Sequence, residues 1–132
     1  MSAYGEFVTE FKEQGYLVKA LEQLGYVVEV HAQAQALQGY MGDTRKQTAD
    51  VIIRREHVGA ASNDIGFAKQ GDGRFSAIIS DYDMRLHGHS WLEKVKQGYA
   101  EQRTLAVAHQ RGYVLKRREV KDNRVQLQFT SR

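Results

Sequence analysis

Two segments with helical periodicity, each followed by a glycine and flanked by strand-like segments, constrain the fold of this chain more than any other feature. In residues 17–24, leucine and valine recur at helical spacing, and Gly25 follows as a left-handed stop. A second helix is predicted to begin at Ser90, which forms a capping box with Glu93, and to end at Gly112. The fold must therefore combine two helices with a sheet.

Seven further segments have the alternation or the β-branched content that is typical of strands. They are residues 4–11, 26–31, 49–55, 65–69, 74–80, 113–120 and 124–129. Gly-Asp-Gly at 71–73 predicts one hairpin turn, and Asp-Asn at 122–123 predicts another. The order β-α-β-β-β-β-α-β-β predicts an α+β fold, with two helices packed on one face of a mainly antiparallel sheet.

The chain has 132 residues and no linker-like segment, so we expect a single α+β domain over residues 1–132. A Gly-Tyr pair joins a helix to a strand at 25–26 and again at 112–113, which indicates an internal pseudo-repeat. The alternative is that glycine followed by a strand former is common wherever a helix leads into a strand.

The composition narrows the class of protein. No apolar run is long enough to span a membrane, and the first residues lack the basic and apolar regions of an export signal. The absence of cysteine excludes disulfides, thiolate metal sites and a cysteine nucleophile. We therefore expect a soluble protein of a reducing compartment, the cytoplasm.

Four blocks of the sequence match a known family in order and in spacing. They are LVKALEQLGY at 17–26, GDTRKQTADVIIRR at 42–55, ASNDIGF at 61–67 and ISDYD at 79–83. With these blocks the chain resembles the hypothetical chloroplast reading frame thirty-five family of cyanobacteria and plastids over nearly its whole length. The resemblance implies a domain of unknown function, and it carries over no activity or site residue.

A dense group of arginine, amide and carboxylate side chains between residues 42 and 64 suggests an anion site. Arginine binds phosphate or carboxylate at two points, and a glycine-bearing loop can bring backbone amides to the same anion. The predicted ligand-binding residues are Arg45, Gln47, Asp50, Arg54, Asn63 and Asp64. The alternative is internal pairing, in which the aspartates hold the arginines and Asn63 bonds to nearby backbone.

A metal-dependent hydrolase acting on nucleotides or phosphodiesters is an alternative function. Asp50, Asp64, Asp81 and Asp83 are the carboxylates that would bind magnesium and activate water. A nuclease would have a Glu-x-Lys element after Asp64, and this chain has Gly-Phe-Ala-Lys there. No catalytic residue, metal ligand or cofactor is therefore assigned.

Two histidines, His87 and His89, lie just before the second predicted helix. Histidines one residue apart can bind zinc, but no third ligand stands at a suitable spacing. We therefore predict that both are solvated.

The C-terminal end of the chain is basic, with seven basic residues against two acidic ones between 111 and 132, within a net charge of +3. The predicted nucleic-acid-binding residues are Lys116, Arg118, Lys121 and Arg124, on the open face of the last hairpin. The alternative is that these charges protect the edge of a sheet against pairing with other chains.

The sequence thus favours a small non-catalytic binding or accessory protein whose target is an anionic ligand, nucleic acid or a protein partner. A homodimer is compatible with this hypothesis. A structural subunit of a larger assembly is a further alternative, because tyrosines such as Tyr40 and Tyr82 are suited to an interface.

Overall fold

Residues 2–132, which the computed structural model describes, form seven strands and three α-helices in the order that the sequence predicts, apart from one short additional helix. The elements are β1 (Tyr4–Val8), α1 (Gln14–Gln23), β2 (Glu29–Gln38), β3 (Thr44–Ile53), β4 (Ile65–Lys69), β5 (Phe75–Ser80), α2 (Met84–His87), α3 (His89–Gln110), β6 (Tyr113–Lys121) and β7 (Arg124–Ser131). The predicted α+β class is confirmed.

The strands form two separate antiparallel sheets. The first has the order β1-β5-β4-β3-β2, and the second is the hairpin β6-β7 alone. The predicted hairpin between β4 and β5 is confirmed, as is the one between β6 and β7, where Asp122 and Asn123 have φ angles of 54° and 60°. Two consecutive positive φ angles are typical of a type I′ turn.

The main core lies between one face of the five-stranded sheet and the helices α1 and α3. Its buried side chains are Phe11, Leu17, Ala20, Leu21, Val51, Ile53, Ile65, Phe67, Phe75, Ala77, Ile79, Trp91 and Val95. Each valine, leucine, isoleucine or phenylalanine of this set contributes about 1.5–3 kcal/mol when it is withdrawn from water. A Cβ at Gly98 would lie 3.2 Å from Cβ of Ala20, so the glycine allows α3 to approach α1 closely.

A smaller apolar cluster lies on the opposite face of the sheet. It consists of Leu37, Ala49, Ile52 and Ile78. β2 and β3 pair with two register irregularities, and Leu37 of β2 is fully buried in this cluster. A Cβ at Gly66 would lie 2.6 Å from Cβ of Ala49, so a larger residue would force the two strands apart.

Some predicted boundaries differ from the structure. The strand expected at 26–31 begins only at Glu29 and continues to Gln38, and β3 begins at Thr44, earlier than expected. The predicted capping box is wrong, because α3 begins at His89 behind Gly88 and has no side-chain cap. No helix among residues 2–132 is long and apolar enough to cross a membrane.

Candidate functional site

The buried carboxylate of Asp64 joins three segments of the predicted ligand site. Its Oδ2 accepts hydrogen bonds from Arg54 Nη1 at 2.8 Å and from the backbone N–H of Gln38 at 2.7 Å, and its Oδ1 accepts from the N–H of Arg55 at 2.7 Å. Burial lowers the pKa of Arg54, but the hydrogen bond and the charge of Asp64 outweigh it and raise the pKa overall. Arg54 and Asp64 therefore pair with each other inside the protein.

Asn63 belongs to a second internal network. Its backbone N–H donates to Asp83 Oδ2 at 3.0 Å, and its side-chain amide donates to Ser80 Oγ at 2.9 Å. Ser80 Oγ donates in turn to Asp83 Oδ2 at 2.8 Å, and the N–H of Tyr40 donates to Asn63 Oδ1 at 3.0 Å. These bonds hold the start of β4 against the end of β5.

Arg45 lies at the other end of the same region, on β3. Its guanidinium stacks over the ring of Tyr4 at 4.9 Å from the centroid and donates to the carbonyl of Ser2. The Tyr4 hydroxyl donates to the carbonyl of Asp64 at 2.7 Å, and burial, with the charge of Asp64, raises the pKa of Tyr4. Arg45 thus connects β3 to the N-terminal strand β1.

The remaining two predicted ligand residues lie elsewhere on β3. Asp50 Oδ2 accepts from the N–H of Lys69 at 2.8 Å, and Gln47 lines a shallow groove on the outer face of the sheet beside it. The six residues therefore do not converge on one cleft. The internal-pairing alternative describes the contacts of Arg54, Asn63 and Asp64, and the ligand site stays a prediction.

The four aspartates of the hydrolase alternative are also dispersed. Asp64 and Asp83 are buried and hydrogen-bonded within the protein, and Asp50 caps the end of β4. Within residues 2–132, no three histidine, cysteine or acidic side chains lie together in a way that could hold a metal ion. The geometry thus gives the hydrolase alternative no support.

The prediction that both histidines before the helix are solvated is wrong for His87. Its Nε2 lies 3.2 Å from the hydroxyl of Tyr26, which also accepts from Nε1 of Trp91 at 3.0 Å, and its ring packs edge-on against Trp91. Burial lowers the pKa of His87, against the opposing effect of the Asp83 charge. His89 is exposed, as predicted.

The predicted nucleic-acid-binding residues do not share one face of the hairpin. Arg118 forms a two-point ion pair with the buried Glu101 of α3, with N–O distances of 2.8 and 3.0 Å. Lys121 lies opposite Arg124 across the hairpin, and strand alternation places both on the face away from Arg118. Lys116 lies in a register shift of β6 and pairs with no residue of β7. Their nucleic-acid role stays a prediction.

One groove, of about 810 Å³, lies between α1, α3 and the hairpin. Both signs of charge line it, including Glu93 and Glu101 against Lys94 and Arg118. Because Arg118 and Glu101 neutralise each other there, this groove has little electrostatic preference for a ligand.

A second groove combines an apolar floor with uncompensated positive charge. It has a volume of about 510 Å³ and will be called the α3 groove. Its lining residues are Glu10, Phe11, Lys96, Tyr99, Ala100, Arg103, Thr104, Val107, Ala108, Arg111 and Tyr113. Val107 and Tyr113 are exposed although they are apolar or aromatic.

The charges of the α3 groove are unequal. Lys96 lies 3.9 Å from Glu10, the one acidic residue of the lining. Arg103 and Arg111 form no ion pair with any residue between 2 and 132. The predictions from sequence do not include this groove, and its signal in the sequence is the seven-residue spacing of Lys96 and Arg103, with Val107 between Arg103 and Arg111.

Comparison with known protein families places the chain in a family. The family model described as protein of unknown function, DUF1257, matches residues 20–127, from within α1 to within β7. No curated protein and no solved structure matches the chain. The matched part includes nearly all of the α3 groove and most of the hairpin. Since the match covers more than half of the sequence, the chain belongs to the DUF1257 family of proteins of unknown function.

Proposed function

We propose that this protein is a non-catalytic binding domain whose α3 groove holds an acidic, amphipathic segment of a protein partner. The observation that carries the proposal is an apolar floor, exposed at Val107 and Tyr113, next to two arginines without ion pairs among the described residues. An apolar surface that is rimmed by polar groups is typical of a protein–protein contact. Uncompensated arginines favour a partner of opposite charge.

The spacing of the cations supports a helical partner. Lys96, Arg103 and Arg111 are seven and eight residues apart, which places them about 10–12 Å apart along the helix axis. Acidic residues at every seventh position of a second helix would have about the same separation. The apolar residues between them would then lie on the floor of the groove, as in helix-in-groove recognition.

Fluorescence anisotropy with a labelled probe peptide tests the proposal. The probe is a synthetic amphipathic helix with glutamate at every seventh position and leucine on the adjacent face. We expect it to bind the full-length protein and to lose roughly tenfold in affinity, about 1.4 kcal/mol, when Arg103→Glu and Arg111→Glu are combined. The matched control is Arg85→Glu with Lys94→Glu, which reverses two exposed charges outside the α3 groove.

Three outcomes would contradict the proposal. The peptide does not bind the wild-type protein, the control variant loses as much affinity as the groove variant, or a peptide with the same composition in scrambled order binds equally well. A single-stranded oligonucleotide serves as a further probe. If the oligonucleotide binds more tightly than the peptide, and if the groove variant no longer binds it, the target of the groove is nucleic acid and not an acidic protein.

The other expectations from the sequence remain predictions. They are the anion site on β3, nucleic-acid binding by the hairpin, a location in the cytoplasm, and the narrower resemblance to the chloroplast reading frame family. Tyr40 and Tyr82 are exposed, and they leave a role as a structural subunit open to test. A homodimer concerns a different surface, the free edge of β7.

A further inference from the structure

The β6–β7 hairpin is a sheet of its own, so both of its outer edges are free of main-chain partners within residues 2–132. An isolated two-stranded sheet is marginally stable in water, and a free edge offers a row of unpaired N–H and C=O groups. The hairpin is attached to α3 by the ion pair of Arg118 with Glu101 and by a hydrogen bond of 2.6 Å from Gln97 Nε2 to the carbonyl of Asn123. A third and a fourth strand would stabilise it.

Four strands in the described part of the chain lie at sheet edges, and three of them have features that oppose pairing. β1 has only five residues, and β2 has two register irregularities. β6 has a register shift of its own and carries four cations between Lys116 and Lys121. Short length, irregular register and lysine or arginine side chains are the usual protections of an edge.

β7 is neither short nor irregular, and its one cation, Arg124, lies at the turn. It has eight residues, and its sequence from Val125 to Ser131 contains no charged side chain. Val125, Leu127 and Phe129 alternate with Gln126 and Gln128 on the opposite face. The three apolar residues face α3 but are only half-buried, and a groove of about 510 Å³ remains between them and the helix.

We propose that the edge of β7 pairs with β7 of a second copy of this chain, in antiparallel orientation and with the two-fold axis at Leu127. In this register Leu127 lies opposite its own copy, Val125 opposite Phe129, and Gln126 opposite Gln128. Each pair joins side chains of the same character, and no two cations lie opposite each other. A second copy is therefore the occupant that fits this edge, because the strand is complementary to itself.

The two-fold axis also accounts for the half-buried apolar face. An axis perpendicular to the sheet keeps the α3-facing sides of the two hairpins on one side of a four-stranded sheet. The apolar side chains of each β7 would then flank the α3–β7 groove of the other copy, where Ala100 and Thr104 lie. Ala100 and Thr104 also line the α3 groove, but the paired edge of β7 lies outside it, so the dimer does not depend on the proposed function.

The mass of the full-length protein, measured by size-exclusion chromatography with light scattering, tests the proposal. We expect twice the mass of one chain for the wild type and a twofold drop for Leu127→Lys, which would place two lysines opposite each other at the axis. The control is Val120→Lys on the same face of the hairpin but on β6, and it should remain a dimer. A wild type that is a monomer, or a Leu127→Lys variant that is a dimer, overturns the proposal.

Cysteine cross-linking tests the register even if Leu127→Lys fails to fold. The natural chain contains no cysteine, so introduced thiols have no native competitor. A Gln126→Cys copy mixed with a Gln128→Cys copy of different length should form the mixed disulfide dimer faster than either variant alone, since opposite residues have Cβ atoms about 4.5–5.5 Å apart. Equal rates in all three samples would exclude this register.

Discussion

At the scale of single residues, most of the polar side chains that the sequence suggests as ligand-binding residues form hydrogen bonds within the protein. Asp64 accepts from one side chain and two backbone amides on two other segments, the end of β2 and the end of β3. Asn63 accepts from the N–H of Tyr40 and donates to Ser80 and Asp83. A buried carboxylate needs such partners, because an unpaired charge in the interior is strongly unfavourable. Their burial thus indicates a structural role.

The first prediction concerns Asp64. Asp64→Ala would leave the N–H groups of Gln38 and Arg55 without an acceptor, while Arg54 would keep its ion pair with Glu29, so we expect a loss of about 2–5 kcal/mol in the free energy of unfolding. Urea denaturation measures this loss. The control Asp72→Ala removes an exposed ion pair with Arg74 and should cost less than about 0.5 kcal/mol. An equal effect of the two substitutions would show that Asp64 is not a structural residue.

The second prediction concerns pH and His87. Burial lowers its pKa from the ordinary value of 6.5, so the unfolded chain binds a proton more readily than the folded protein does. Stability is therefore complete above about pH 6.5 and decreases as the pH falls below it, by at most about 1.4 kcal/mol per pH unit, until the lowered pKa is reached. His87→Phe should remove this part of the pH dependence.

The control for His87 is its exposed neighbour. His89→Gln should keep the wild-type decrease in stability between neutral and mildly acidic pH, because His89 is in water in both states. Denaturation curves at a series of pH values compare the three proteins. If the His87→Phe variant loses stability over this range as steeply as the wild type, another group is responsible.

At the scale of elements, the C-terminal hairpin differs from the rest of the protein. Its inner face is only half-buried, and it shares no backbone ladder with the five-stranded sheet. The two-point ion pair between Arg118 and Glu101 is one directional contact to α3, and the hydrogen bond from Gln97 to the carbonyl of Asn123 is another. The hydrogen bond and charge of Glu101 raise the pKa of Arg118. The hairpin is therefore expected to open independently of the main core.

The third prediction tests this attachment by hydrogen exchange. Glu101→Ala should speed the exchange of amides in β6 and β7 by roughly tenfold, equivalent to about 1.4 kcal/mol, and should leave β4 and β5 unchanged. The matched control is Glu119→Ala, which removes the partner of Arg117 within the hairpin but no contact with α3. Uniform acceleration over the whole protein would mean that the hairpin and the core open together.

At the scale of the whole molecule, the sequence predicts the order of elements and the packing of helices on one face, because these follow from periodicity and from turn residues. Asp122 and Asn123 adopt the predicted turn, and β4 has the predicted ends. The split into two sheets was not predictable, since pairing between distant strands leaves no local signal. The same reason applies to the candidate sites: Arg54 and Asp64 are ten residues apart, and only the fold shows that they bind each other.

The register shift at Lys116 has a consequence for assembly. If this one residue were deleted, the pairs on either side could keep their register, and β6 would become a regular strand. Both edge strands of the hairpin would then be regular, whereas in the natural chain only β7 is regular. A dimer closes when each chain has one strand edge that can pair, whereas two such edges per chain allow further chains to be added without limit. In the proposed dimer, the extra residue in β6 therefore acts together with Arg117, Arg118 and Lys121 to limit assembly to two chains.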